Sequence, residues 1–168
     1  KDIPNVISAV LNFNAINTQQ RAINKGSIAY SHGLADFAGS MSKDASSLPA
    51  GTGSLGAAEA DFQKINLSLT RLQAITQGHN LLVRLQAQHS DDTLSSLERF
   101  SMGGPNSVRA YPVSEYISDK GIFTSVAWVM SAPGFSSKPA FAGRNWGEVF
   151  RVSLFADYAA GKLNRTFG

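Results

Sequence analysis

The stretch Lys64–Thr70, KINLSLT, decides the fold. In an extended chain Ile65, Leu67 and Leu69 fall on one side, and Lys64, Asn66, Ser68 and Thr70 on the other. Such alternation reads as a strand with one apolar and one polar face. The surrounding AAEADFQKINLSLTRLQAI also invites a helical reading, because Ala, Glu, Gln and Leu favour helix and Ile65, Leu69 and Leu72 recur at helical spacing. Leu67 spoils that stripe and the Asn-Leu-Ser-Leu-Thr core alternates, so a strand is expected.

The same period extends in both directions. VISAVLNFN (Val6–Asn14) sets Ile7, Ala9, Leu11 and Phe13 against Ser8, Asn12 and Asn14. NLLVRLQAQ (Asn80–Gln88) sets Leu81, Val83, Leu85 and Ala87 against Leu82, Arg84, Gln86 and Gln88. GEVFRVSLFADY (Gly147–Tyr158) sets Phe150, Val152, Leu154, Ala156 and Tyr158 against Arg151, Ser153, Phe155 and Asp157. GSIAYSHGL (Gly26–Leu34) and GIFTSVAWVM (Gly121–Met130) are weaker candidates. About six strands follow, several near the roughly 9–11 residues of a membrane-spanning strand. The connections alternate in length: Asp36–Ala60 is long, Thr76–His79 short, and Asp91–Lys120 long again. Transmembrane barrels join their strands in this way, with short turns on one side and long loops on the other. The fold class expected is an all-β antiparallel meander.

Composition narrows the function classes. The chain has 168 residues, with 43% hydrophobic and only 16% charged. The net charge of +3 is spread without a basic run, so nucleic-acid binding has no electrostatic footprint. Cysteine is absent, which removes disulfides, thiolate metal sites and cysteine nucleophiles together. No apolar run approaches the roughly 18 residues of a spanning helix. The mean hydropathy of −0.09 does not separate a soluble domain from a barrel, whose apolar face is hidden by alternation. Trp128, Trp146, Tyr116 and Tyr158 are core aromatics in a soluble protein and interfacial girdle residues in a barrel.

Chemical motifs are sparse. His32, His79 and His89 have no partner at metal-ligand spacing, and no metal site or cofactor is expected. Asp91-Asp92 reads as a solvated loop end in preference to a cation site. Gly51–Gly56, GTGSLG, lacks the Gly-Lys-Ser/Thr ending of a phosphate loop and reads as part of a mobile loop tip. No nucleophile elbow is present, and no constellation supports an enzyme. Arg109 stands out, a lone arginine in the turn-rich FSMGGPNSVRAYP (Phe100–Pro112). A buried arginine needs a partner, and a carboxylate accepts its planar fork with two bonds. Asp157, on the polar face of the last strand, is the candidate, although spacing alone pairs any Arg with any Asp.

The stretch FSMGGPNSVRAYPVSEYISDKG, with SLERFSMGG before it and GEVFRVSLFADYAAGKLN after it, resembles the transporter (TpsB) component of two-partner secretion, the haemolysin-activator or ShlB/FhaC/HecB family. The likeness is strongest from about Asp61 to Asn164. The family's loop tip reads V-R-G-[YF], and this chain has Val108-Arg109-Ala110-Tyr111, with Ala110 where glycine is commoner. The family's F-x-D motif matches Phe155-Ala156-Asp157. The resemblance implies a 16-stranded outer-membrane β-barrel preceded by POTRA domains. Residues 1–168 would then supply about the eighth to the thirteenth strand, with the signature loop at 100–120 reaching back into the lumen. It implies a signature loop built on Gly103, Gly104, Val108, Arg109 and Tyr111, anchored on the barrel wall by Phe155 and Asp157. The implied function is export of a secreted TpsA-type exoprotein, haemolysin- or adhesin-like, across the bacterial outer membrane. The alternative is a barrel of the same superfamily that inserts other outer-membrane proteins. The expected partners are the exoprotein, outer-membrane lipid and the missing parts of its own barrel and POTRA domains, without a cofactor.

Overall fold

The computed structural model describes residues 5–37, 58 and 60–164. The GTGSLG stretch and most of the surrounding loop lie outside the described residues. Strand β1 (Asn5–Asn17) turns through Thr18–Arg21 into β2 (Ala22–Leu34). Strands β3 (Gln63–Thr76) and β4 (His79–His89) are joined by Gln77-Gly78, where Gly78 takes the positive φ of 79° that a tight hairpin requires. A long connection then carries two short strands, β5 (Phe100–Met102) and β6 (Tyr116–Ser118), which pair only with each other. Strand β7 (Lys120–Ser131), a helical turn α1 (Trp146–Val149) and β8 (Arg151–Lys162) complete the chain.

The six long strands form one sheet in the order β1-β2-β3-β4-β7-β8, every neighbour antiparallel. It is an open meander, and β1 and β8 are its edges. KINLSLT lies inside β3, so alternation outweighed the helix-favouring composition. Among the described residues the sheet has no packed core on its apolar face. Ile7, Leu11, Ile28, Ile65, Val126 and Leu154 all stand exposed there. A water-soluble sheet covers such a face; a lipid-facing sheet leaves it bare.

Register turns the alternation into rows across the polar face. One row runs Asn14–Lys25–Thr70–Arg84–Ser125–Asp157, polar on every strand. The next row toward the short turns runs Ile16–Ile23–Leu72–Leu82–Ala127–Phe155 and is apolar throughout. The polar face is therefore striped, which period-2 reading of single strands does not reveal.

The structure departs from the sequence reading at two places. The last strand was expected from Gly147, but residues 146–149 form a helical turn and the strand begins at Arg151. The Phe135 ring packs on Trp146 (centroids 5.9 Å apart) and on Phe150 (6.0 Å), and Phe150 N–H donates to Trp146 O at 2.9 Å. These long-range ring contacts hold the chain off the sheet for one more turn. The β7–β8 connection also lies on the side of the short turns without being short itself, and the same aromatic cluster fills it.

Candidate functional site: the Arg109–Asp157 clasp

The long connection from β4 to β7 folds back over the polar face of the sheet. Phe100 and Met102 of β5 bury themselves against Phe123 of β7, with Val108 and Ala159 packed on the same cluster. Phe123 is fully buried. This apolar contact, set on the face that carries the polar row, seats the loop.

Beyond β5 the chain makes a closed tip. Gly104 N–H donates to Tyr111 O (2.9 Å), Ser107 N–H to Gly104 O (3.0 Å) and Tyr111 N–H to Val108 O (3.2 Å). The tip requires both glycines. Gly103 has φ 111° and Gly104 φ 89°, and a Cβ on Gly103 would lie 2.2 Å from Pro112 O. Ala110, in contrast, does not have a positive φ, so this position does not need the glycine that is commoner there. Tyr111 packs edge-on against Tyr116, centroids 5.8 Å apart, with Tyr111 still half exposed.

This tip presents Arg109 to β8. Its Nε donates to Asp157 Oδ2 at 2.9 Å and its terminal Nη2 to Asp157 Oδ1 at 2.8 Å, the two-bond fork that a carboxylate accepts. The Arg109 backbone N–H donates to the same Oδ2 at 3.2 Å, and Nη2 also donates to Ser125 Oγ at 2.9 Å. The guanidinium lies over the Phe155 ring, 3.5 Å from its centroid. Side-chain exposure is 25% for Arg109 and 4% for Asp157. The carboxylate is nearly sealed, while the cation keeps some water. The hydrogen bond to Asp157 raises the Arg109 pKa above its already high ordinary value, so the loop carries its charge at every physiological pH.

The sheet supplies this arrangement by alternation and register. Phe155 and Asp157 are two residues apart on one strand and so share its polar face. Ser125 is the cross-strand partner of Asp157, and Arg84 that of Ser125. Arg84 donates to Ser125 Oγ at 3.5 Å and lies over the Phe123 ring at 5.6 Å. The structure brings the seven residues named from the sequence to one place: Gly103, Gly104, Val108 and Tyr111 lie in the tip, and Arg109 meets Phe155 and Asp157. Ser125 was missed, because a serine in an alternating strand carries no signal until register places it beside the carboxylate. Of the other candidates, half-buried His32 approaches Asp61 at 3.7 Å and exposed His89 approaches Asp91 at 3.6 Å. Asp91 pairs with Lys120 at 2.5 Å, and Asp92 accepts the Gln63 N–H at 2.6 Å, so the acid pair braces strand ends. No group of His, Cys, Asp and Glu able to hold a metal is present among the described residues.

An amphipathic antiparallel sheet with a bare apolar face, and a loop pinned by an arginine to its polar face, is the pattern of part of a lipid-facing β-barrel wall. Residues 4–151 match the haemolysin secretion/activation protein ShlB/FhaC/HecB family, and the chain belongs to it. The family serves outer-membrane secretion by the two-partner route and is one of transporters. No curated protein and no solved structure gives a match. The matched residues take in the loop and Arg109 but stop at the first residue of β8, so the Asp157 end of the clasp stands on geometry.

Proposed function

We propose that this chain forms part of the wall of a bacterial outer-membrane barrel that exports a large haemolysin- or adhesin-like partner protein. Its loop 100–120 is held in the lumen by Arg109. The observation that carries this reading is the fork of Arg109 on Asp157, on the face of the sheet opposite the bare apolar one. In the proposal the six long strands are the eighth to thirteenth of 16, and further strands of the same protein pair with the open edges β1 and β8. The apolar face meets lipid. Arg84, Gln86, Gln88, Arg151 and Ser153 belong to the lumenal wall, and POTRA domains stand on the periplasmic side.

The outer membrane offers no nucleotide to drive transport, so folding of the partner outside supplies the direction. Arg109 contributes by fixing the loop, with Val108 seated in its apolar cluster. Transport-competent barrels have the loop docked; undocked loops obstruct the lumen or leave the partner without its path. Arg109→Ala is the test. Secretion of the partner is expected to be lost while insertion into the outer membrane is retained. Wild-type secretion by that variant would remove the loop's anchoring role from the mechanism.

A further inference from the structure

Arg109 is not the only charge that the long loop carries inward. Near its start Glu98 N–H and Arg99 N–H both donate to Ser95 O, at 3.0 and 3.2 Å, in one tight turn. The two side chains then diverge. Glu98 reaches β3, its Oε2 2.6 Å from Lys64 Nζ. Arg99 donates through Nε to Asp119 Oδ1 at 3.1 Å. This second pair is drier than the first, with side-chain exposures of 9% for Arg99 and 0% for Asp119.

A carboxylate without water needs its acceptor sites filled by the protein. Asp119 accepts the Leu94 N–H on Oδ1 at 3.0 Å and the Asn164 N–H on Oδ2 at 2.7 Å. Asn164 Nδ2 in turn donates to the carbonyls of Ser90 (2.7 Å) and Asp92 (2.8 Å). Gln88 of β4 donates to Glu98 O at 3.1 Å. One side chain therefore joins the beginning of the loop, its end at the entry to β7, and the chain just after β8.

We propose that Arg99 and Asp119 form a root clasp that positions the tip. The pair fixes where the loop leaves the sheet and so delivers Arg109 to Asp157, while the half-wet tip pair is the contact that opens. This rests on the loop-anchor reading given above. Its consequence is an asymmetry. Undocking the tip leaves the root intact, because the root's bonds close among themselves. Breaking the root loosens the tip too, because Arg109 must then find Asp157 from a wider set of loop positions.

Amide hydrogen exchange on the full chain, folded in lipid or detergent, reads both ends directly. The Arg109 amide reports the tip, and the Leu94 and Asn164 amides report the root. In Asp157→Asn the Arg109 amide is expected to exchange about tenfold faster or more, with the other two unchanged. In Asp119→Asn all three are expected to accelerate. Should that variant fail to fold, Asn164→Ala removes only the bonds to Ser90 and Asp92 and gives the same pattern at smaller amplitude. Acceleration confined to Leu94 and Asn164 when the root is broken would overturn the positioning role. Acceleration of all three when only the tip is broken would show one cooperative unit and overturn the division of labour. Secretion by Arg109→Ala is measured separately: normal secretion there sinks the anchoring function while leaving the exchange asymmetry to stand or fall alone.

Discussion

Exchanging the two charges of the tip clasp, Arg109→Asp with Asp157→Arg, tests the pairing more severely than removing either. Taking one partner from a buried pair costs about 3–5 kcal/mol, mostly because the other charge is stranded. Asp157 is sealed but a quarter of the Arg109 side chain meets water, so the cost is discounted to about 2–3 kcal/mol for Arg109→Ala. That lowers the equilibrium constant for the docked loop by about 30- to 150-fold. The exchanged pair recovers the attraction between opposite charges. It forfeits the stack on Phe155, about 0.5–2 kcal/mol, and the bond to Ser125, about 1 kcal/mol. These forfeits total about 1.5–3 kcal/mol, so the exchange is expected near the level of Arg109→Ala and above each single charge reversal, in which like charges face each other. Four proteins are compared: wild type, each single charge reversal and the exchange. Urea titration in lipid vesicles measures stability, and secretion of the partner measures function. A coupling energy below about 0.5 kcal/mol, or an exchange no better than the worse single variant, refutes the electrostatic reasoning.

Three further outcomes follow from the geometry. Gly103→Ala places a methyl 2.2 Å from Pro112 O on a backbone at φ 111°, and a loss of about 2–3 kcal/mol is expected in the same titration, with secretion impaired. Ala110→Gly is expected to change stability by less than about 0.5 kcal/mol and to leave secretion intact, since residue 110 needs no left-handed backbone; a large gain of function would show the tip to be strained there. Leu154→Arg and Ser153→Arg sit side by side on opposite faces of β8. The first is expected to cost about 2–4 kcal/mol on insertion into lipid and the second under about 1 kcal/mol, and equal costs would contradict the assignment of faces.

The meander was legible because a strand's two faces are written locally. Whether Leu67 or Ser68 meets water depends only on parity, and parity survives in any single strand. Arg109 was legible as a singular charge in a turn-rich loop, and Gly103 and Gly104 as the residues that let the loop bend. The helical turn at Trp146–Val149 was not legible, because Phe135 holds it from a distance in sequence. The partner of Arg99 was equally hidden. Glu98 lies beside it in sequence and faces the other way, while Asp119 comes twenty residues later.

Sequence by itself determined which residues alternate, which way each strand turns its apolar side, and that a lone arginine sits in a turn-rich loop. Tertiary structure decided what that arginine touches. Strand register is a relation between segments far apart in sequence, and only it places Ser125 beside Asp157. The energy of a charge depends on its neighbours and on the water left around it, and neither quantity exists until the loop has folded onto the sheet.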